Sequence, residues 1–190
     1  VSHRVSSVRW LAAAKSASWG FKGARPALVQ ALEKGYDPAA YALGQVGTSK
    51  DWKALRSYMI RQANLSATAV GFNRHRGYAR MALLSLGKLG EPEAVRMLRR
   101  EVDSTSEANE RAQALIVLAS LKDQSDTPRF RRSLSDGSMR VRSAAAEAVG
   151  SLKDKGAIPI LLRECRRPSK ENYQGAYGDR RSRDYMRYVA

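Results

Sequence analysis

The sequence contains few of the residues that form disulfides, metal sites or histidine-based catalytic centres. Cys165 is its one cysteine, which excludes a disulfide within the chain and fits a reducing compartment. The two histidines, His3 and His75, lie far apart and have no cluster of companion ligands, so neither a metal site nor a Ser-His-Asp triad is expected. A glycine-rich phosphate-binding loop is also lacking. We therefore expect no metal, no cofactor and no catalytic activity.

Acidic residues are scarce. The 190-residue chain has 18 of them against 34 basic residues, a net charge of +16, and 24 of the basic residues are arginines. A guanidinium binds phosphate or carboxylate through two parallel hydrogen bonds, which an ammonium group cannot do. This balance favours nucleic acid, an acidic protein or an anionic surface as the partner. A solvated basic surface without a partner is the alternative.

The first 32 residues contain no acidic residue, and long apolar runs are missing everywhere. No run approaches the ~20 apolar residues that cross a bilayer, so no membrane-spanning segment is expected. An acid-free N-terminal stretch rich in Arg, Ser and Ala is typical of a mitochondrial targeting segment. The repeat pattern described next continues through this stretch, which favours a structural role. We expect a cytoplasmic location and leave processing of an organelle-targeted or exported precursor open.

An internal repeat is the strongest feature of the sequence. Residues 141–159 align without a gap with residues 8–26, and related copies lie at 82–90, 114–121 and 42–47. A small residue near the end of each first helix serves as an anchor. The anchors are Ala17, Gly44, Gly87, Ala119 and Gly150. The last two spacings are 32 and 31 residues, and the earlier ones are 27 and 43.

Apolar residues recur at fixed distances from these anchors. Five residues before the anchor stand Ala12, Ala39, Ala82, Ala114 and Ala145. Two residues after it stand Trp19, Val46, Leu89, Leu121 and Leu152. Eleven residues after it stand Leu28, Leu55, Leu98, Phe130 and Leu161, and fifteen after it stand Leu32, Met59, Val102, Leu134 and Cys165. The last two sets are four residues apart and share one helical face, so both are predicted to be buried between repeats.

Three of the second helices begin with a proline at the same offset, namely Pro26, Pro128 and Pro159. Proline is tolerated in the first helical turn, because its missing N–H would have no helical partner there. Each unit is therefore predicted to be helix, short turn, helix. Such a pair cannot bury its apolar face alone, so the copies are expected to stack.

This pattern, from about Val8 to Arg167, resembles the HEAT repeats, in particular the short bacterial-type units also found in the phycobilin lyases. The resemblance implies an all-α fold, a right-handed α–α superhelix of about five two-helix repeats, formed by residues 1–190 as one solenoid. It also implies that the second helices line the concave face. It says little about function, since the same repeat serves many unrelated binding proteins.

Two stretches depart from the repeat, at 62–77 and 168–179, and both are predicted to be long loops between repeats. Residues 180–190 have the pattern of the first helix of a further, incomplete unit. No polar capping helix follows them, as a solenoid normally requires. We therefore expect the chain to be part of a longer repeat protein.

Arginines twelve and thirteen residues after the anchors are the main candidate binding residues. They are Arg56, Arg99, Arg100, Arg131, Arg132 and Arg163. Stacking would align them as a ladder suited to a phosphate backbone or an acidic helix. The alternative is that they favour the negative ends of their helix dipoles.

A second candidate set lies in the acid-free run between Asp51 and Glu91. It contains Arg74, Arg76 and Arg80, beside the aromatic residues Phe72 and Tyr78. Such a mixture can bind single-stranded nucleic acid by charge and stacking.

Three arginines eight residues before the anchors are interpreted as structural. Arg9, Arg111 and Arg142 are expected to form hydrogen bonds or salt bridges between repeats, for example with Asp residues at nearby turns.

These features favour a non-catalytic scaffold that presents a basic surface to an acidic protein. The main alternative is a protein that binds the phosphate backbone of nucleic acid. A distant alternative is a HEAT-like DNA glycosylase, in which Asp51 and Trp52 would be the reactive pair. Trp52 aligns with the apolar positions Val95 and Ile158, which favours a core role. Cys165 also falls at a core position and is expected to be a buried, inert thiol.

Overall fold

The structure is a computed structural model of the chain and describes residues 2–66 and 72–166. These residues form ten α-helices and no strand. In chain order the helices are α1 (Ser2–Ser18), α2 (Arg25–Glu33), α3 (Pro38–Val46), α4 (Trp52–Ser66), α5 (Phe72–Lys88), α6 (Pro92–Ser104), α7 (Ala108–Ser120), α8 (Thr127–Ser133), α9 (Met139–Ser151) and α10 (Ile158–Cys165). They follow one another as five pairs, which confirms the all-α, HEAT-like solenoid fold class. The chain divides into two compact units, residues 1–97 and 98–190, which are described separately.

Short 3₁₀ turns join the two helices of four pairs. These turns are Lys22–Ala24, Ser49–Asp51, Gln124–Asp126 and Lys155–Ala157. Pro26, Pro128 and Pro159 each lie in the first turn of the helix that follows, as the sequence predicts. The helix–turn–helix interpretation of the repeat is therefore confirmed.

The core of the first unit lies between consecutive helix pairs. Helix α3 packs against both α1 and α5, and α2 packs against α4. Leu28 and Leu55 are fully buried between them. A β-carbon at Gly44 of α3 would lie 2.7 Å from the Ser85 Oγ of α5, so only glycine permits this approach of the two helices.

The described part of the second unit has the same arrangement. Its first helices, α7 and α9, pack on each other, and α8 packs on α9. Leu98, Phe130 and Leu134 are buried as predicted, and so are the small residues Ala114 and Ala145 that let α7 and α9 approach.

Several predicted core positions are instead exposed. The Trp19 side chain is 83% exposed, and Ala12 of α1 is exposed as well. At the other end of the described chain, Leu161 is half-buried and Cys165 is exposed. These four positions lie in the first and last described repeats, each of which has a described neighbour on one side, so fewer helices cover them. The prediction that Cys165 is a buried thiol is therefore wrong.

The predicted loop at 62–77 is largely helical. Helix α4 continues to Ser66 and α5 begins at Phe72, so residues 67–71 alone remain between them and lie outside the described residues. Helices α4 and α5 pack on each other, and this packing extends both beyond the repeat length. The predicted loop at 168–179 and the partial repeat at 180–190 also lie outside the described residues.

Candidate cationic binding surfaces

In the first unit, an arginine of one second helix binds an acid in the turn of the next repeat. The Nε of Arg25 donates to both carboxylate oxygens of Asp51, at 2.9 and 2.6 Å. Asp51 also accepts the backbone N–H of Thr48 at 2.8 Å, so it caps its own turn. The Nη2 of Arg56 donates to Glu91 in the same manner. Both acids are buried, so each pair joins one repeat to the next.

The second unit contains two more pairs of this kind. The Nη2 of Arg99 donates to Asp126 at 2.9 Å and to Asp123 at 2.8 Å. The Nε of Arg131 donates to Asp154 at 2.7 Å. This hydrogen bond lowers the pKa of Asp154 below its ordinary value, while the hydrogen bond to Asp126 raises the pKa of Arg99.

We call Arg25, Arg56, Arg99 and Arg131 the staple arginines. Three of them belong to the predicted ladder, at the position twelve residues after the anchor. Each faces an acid of the next repeat, so each pair adds little net positive charge to the surface. These arginines link one repeat to the next. The sequence predicts either ligand binding or an interaction with helix dipoles for the three in the ladder, and not this link.

The predicted arginines thirteen residues after the anchor are placed differently. In the second unit we call Arg100, Arg132 and Arg163 the outer arginine row. The side chain of Arg132 is 74% exposed and that of Arg163 is 68% exposed. Within the described part of the chain, the guanidinium of Arg100 has no hydrogen-bond or ion-pair partner and is exposed. These three side chains, unlike the staple arginines, remain available to a partner.

The contacts of the outer arginine row are weak or absent. Arg132 lies 3.4 Å from the Asp103 carboxylate, which also binds Arg129 at 3.0 Å. The Nη2 of Arg163 donates to the Ser135 hydroxyl at 3.0 Å, and its Nε lies 3.8 Å from the Glu164 carboxylate. Asp103 follows Arg100 by three residues on α6, so a half-exposed carboxylate is part of this face. The face therefore alternates in charge.

The predicted set Arg74, Arg76 and Arg80 belongs to α5. Arg80 is half-buried and makes contacts of its own, whereas the side chains of Arg74, Arg76 and Phe72 lie outside the described residues. Arg76 and Arg80 are four residues apart in one helix and therefore share a face. The proposal that this set binds nucleic acid stays a prediction.

The arginines expected to be structural are so placed. Arg111 forms an ion pair with Asp136, with Nη2 to Oδ1 at 2.9 Å, and donates to the Thr105 carbonyl at 2.8 Å. Burial raises the pKa of Asp136, but the hydrogen bonds from Arg111 and from the Ser138 N–H outweigh it, and the net pKa is lowered. Arg142 donates to the carbonyls of residues 136 and 137. The structural interpretation is confirmed for Arg111 and Arg142, while the Arg9 side chain lies outside the described residues.

Asp51 and Trp52 do not form an accessible reactive pair. The Asp51 carboxylate is buried and receives hydrogen bonds from Arg25 and Thr48. Trp52 is half-buried, and its Nε1 is buried without a partner in the described part of the molecule. Because Arg25 and the Thr48 N–H occupy the Asp51 carboxylate, it is not open to a substrate.

The described residues contain no group of His, Cys, Asp and Glu side chains that could hold a metal ion. Among them, no helix is both long enough and apolar enough to cross a bilayer.

Five consecutive helix pairs, with a staple arginine in each of the first four, define an α-helical repeat protein. Residues 102–177 match the family model described as HEAT repeats, so the chain carries HEAT repeats over this range. HEAT repeats generally mediate contacts between proteins, which is consistent with a scaffold. The search of curated proteins found no match to this chain.

Sequence reasoning missed the acids that bind the staple arginines. Asp51 and Asp126 lie seven residues after their anchors, and Glu91 and Asp154 lie four residues after theirs. These recurring offsets were visible in the sequence. Pairing them with the arginines twelve residues after the preceding anchor would have identified three of the four staples, all but the one formed by Arg25.

Proposed function

We propose that this protein is a non-catalytic binding and scaffold module that presents its outer arginine row to an acidic partner protein. One observation carries the proposal. The arginine register splits into staple residues, which bind buried acids within the fold, and an exposed row of Arg100, Arg132 and Arg163, whose contacts within the fold are weak or absent. A guanidinium without a strong intramolecular partner can bind a carboxylate through two hydrogen bonds.

The alternating charge of this face favours a protein over a nucleic acid. The Asp103 carboxylate beside Arg100 and Arg132 would repel a continuous phosphate backbone, whereas a protein surface can place a cation or a gap opposite it.

Binding to a nucleic-acid backbone is the second candidate, and the net charge of +16 favours it. It would give affinity for any duplex and a steep loss of affinity with added salt. We do not propose catalysis, since the Asp51 carboxylate is tied into the fold.

The test compares binding of a fluorescent polyglutamate peptide and of a DNA duplex. The variant Arg100→Gln/Arg132→Gln/Arg163→Gln removes the outer arginine row, and Arg99 and Arg131 stay in place because their substitution would break staples. We expect the variant to bind polyglutamate about tenfold more weakly, since each lost contact contributes roughly 0.5 kcal/mol.

The matched control is Lys122→Gln/Lys153→Gln/Lys155→Gln, which removes the same charge from exposed turn positions of the same unit. We expect it to weaken binding by less than about threefold. Equal weakening by both triple variants would refute the proposal. A duplex that binds more tightly than polyglutamate and depends on the outer arginine row would establish the nucleic-acid alternative instead.

A further inference from the structure

The first unit contains a second basic surface, formed along α4. Lys53, Ser57, Ile60, Arg61 and Asn64 lie on one side of this helix, because their spacing follows the helical period. We call these five residues the α4 face. Grooves lie on both sides of it, one toward α2 and one toward α6.

The groove toward α2 has a volume of about 390 Å³ and is cationic. Lys50, Lys53 and Arg61 line it together with a single acid, Glu33. Within the described residues, neither lysine has an acidic partner, and Arg61 donates to the Leu32 carbonyl at 3.0 Å. The charge of this groove is therefore largely uncompensated.

The surrounding charge supports this conclusion. Residues 1–97 contain 15 basic and 5 acidic side chains, so most of the net positive charge of the chain lies in this unit. Asp51, Glu91 and Glu93 are held in ion pairs with arginines, and Asp37 accepts the Tyr58 hydroxyl at 2.5 Å. Glu33 is the one acid among the lining residues of this groove, while Asp37, whose hydrogen bond comes from a neutral hydroxyl, keeps its negative charge behind Tyr58.

The other side of the α4 face combines apolar residues with two arginine–glutamate ion pairs. Ile60 is 51% exposed, and with Met59, Pro92 and Met97 it lines the groove toward α6, which has a volume of about 430 Å³. The arginines at this groove, Arg56 and Arg96, are already paired with Glu91 and Glu93. A ligand that crosses α4 therefore meets cations first and an apolar surface next.

We propose that the α4 face is a docking site for an acidic segment of a partner protein that carries an apolar side chain. The carboxylates of the segment meet Lys50, Lys53 and Arg61, and its apolar side chain covers Ile60. Single-stranded nucleic acid fits this surface less well, because the one aromatic residue lining the grooves described here, Tyr58, is buried and offers no face for stacking. The site lies in a different unit from the outer arginine row. This inference rests on the proposed function in one respect, namely that the partner is an acidic protein.

The test uses the full chain and two fluorescent peptides. One is a glutamate-rich peptide that carries leucines, and the other has serine in place of each leucine. We expect the leucine peptide to bind about tenfold more tightly, because its leucine covers Ile60. The variant Ile60→Ser should reduce this difference to less than about threefold. Lys53→Glu should weaken both peptides by about three- to tenfold, because it reverses a charge in the groove.

Two matched controls lie away from the α4 face. Ile116→Ser alters an isoleucine of α7 that is 54% exposed, and Lys22→Glu reverses an exposed lysine in the turn before α2. Neither should change the preference for the leucine peptide. Circular dichroism checks that each variant is folded, and Ile60→Ala and Lys53→Gln replace any variant that is not.

Equal binding of the two peptides to the unaltered chain would overturn the proposal, as would equal effects of Ile60→Ser and Ile116→Ser. A DNA duplex that binds more tightly than the leucine peptide and depends on Lys53 would also overturn it. Loss of polyglutamate binding in the outer arginine row variant, with the leucine preference intact, supports both sites. If Ile60→Ser loses the leucine preference while the outer arginine row variant binds polyglutamate as tightly as the unaltered chain, the α4 face is supported and the proposed function is refuted.

Discussion

At the residue scale, the two lysines that end first helices in the second unit adopt a backbone conformation that favours glycine. Lys122 and Lys153 have φ values of 55° and 54°, and both lie three residues after an anchor. At the same register of other repeats stand Gly20 and Gly90, with φ values of 78° and 74°. A β-carbon costs about 1 kcal/mol in this conformation. Four of the five repeats thus share this turn geometry, whereas Gly47 at the same register of the second repeat has an extended backbone with φ of −69°.

Replacement of Lys122 by glycine is expected to stabilise the protein. We expect Lys122→Gly to raise the free energy of unfolding by about 0.5–1 kcal/mol, since the relief of strain exceeds the added entropy of the unfolded chain. Urea unfolding followed by circular dichroism measures the change. Lys155→Gly is the control. Lys155 lies outside the left-handed region, so this substitution relieves no strain and should lower the free energy of unfolding. A loss of stability in Lys122→Gly equal to that of the control would contradict the prediction.

Adjacent arginines also differ at this scale. Arg131 binds Asp154, whereas Arg132 extends outward and meets Asp103 only at 3.4 Å. Consecutive residues of a helix point about 100° apart, so neighbours in sequence cannot share one partner. One arginine of the pair stabilises the fold and the other remains open to a ligand.

At the scale of elements, the short turn between the helices of a pair positions the acids of the staples. Asp126 ends its 3₁₀ turn, is buried, and binds both Arg99 and Arg129. Asp123 begins the same turn and is exposed. The Ser125 N–H donates to it at 2.9 Å, which is the main reason that its pKa is lowered. The turn thus offers Arg99 a buried partner and an exposed one.

Removal of the buried partner should cost far more than removal of the exposed one. Asp126→Asn is expected to lower the free energy of unfolding by about 2–3 kcal/mol, because it leaves two arginines without a buried counter-charge. Asp123→Asn should cost less than about 1 kcal/mol, since water screens this exposed pair. Chemical unfolding of the two variants provides the comparison. Similar losses in both would show that Asp126 is not the residue that holds the repeats together.

At the scale of the whole molecule, the chain has a net charge of +16, so its few carboxylates limit the repulsion among the cations. Each protonated carboxyl that is paired with an arginine loses its ion pair and adds to the repulsion among the cations. Three aspartates of the second unit, Asp123, Asp136 and Asp154, have pKa values lowered from the ordinary 3.8. Their contribution to stability is therefore complete well above pH 3.8 and is lost as the pH falls below it.

Stability is therefore expected to fall in the acid range. The melting temperature should change little between pH 7 and 5 and decrease steeply below about pH 4. Asp154→Asn should melt lower at pH 7 and show a smaller decrease on acidification, because one of the responsible groups is gone. Thermal unfolding by circular dichroism at several pH values measures both effects. A steep decrease centred near pH 6, or an unchanged acid dependence in Asp154→Asn, would contradict this origin.

Much of the fold could be predicted from spacing alone. Leu28, Leu55, Leu98 and Phe130 are buried as their common register implies. The wrong predictions concern positions whose burial or helix length depends on packing with another part of the chain, which a local pattern does not specify. The α4–α5 pair extends into the stretch predicted as a loop, and Trp19 is exposed although its register is apolar elsewhere.

The candidate binding surfaces were less predictable, because charge in a sequence carries no information on pairing. The predicted ladder mixed residues that the fold uses, such as Arg99, with residues that it leaves exposed, such as Arg100. The acid-free run between Asp51 and Glu91 included Lys53 and Arg61 of the α4 face, but Ile60 follows no repeat register, so its exposure beside these cations was not predicted.

The sequence alone establishes the helix pairs, their turns and their buried seam, because these depend on local periodicity and on residues such as proline whose backbone preferences are intrinsic. Tertiary structure decides which cations remain available to a partner. A staple arginine is occupied because the next repeat brings a carboxylate within about 3 Å of it, and no local property of the chain specifies that distance.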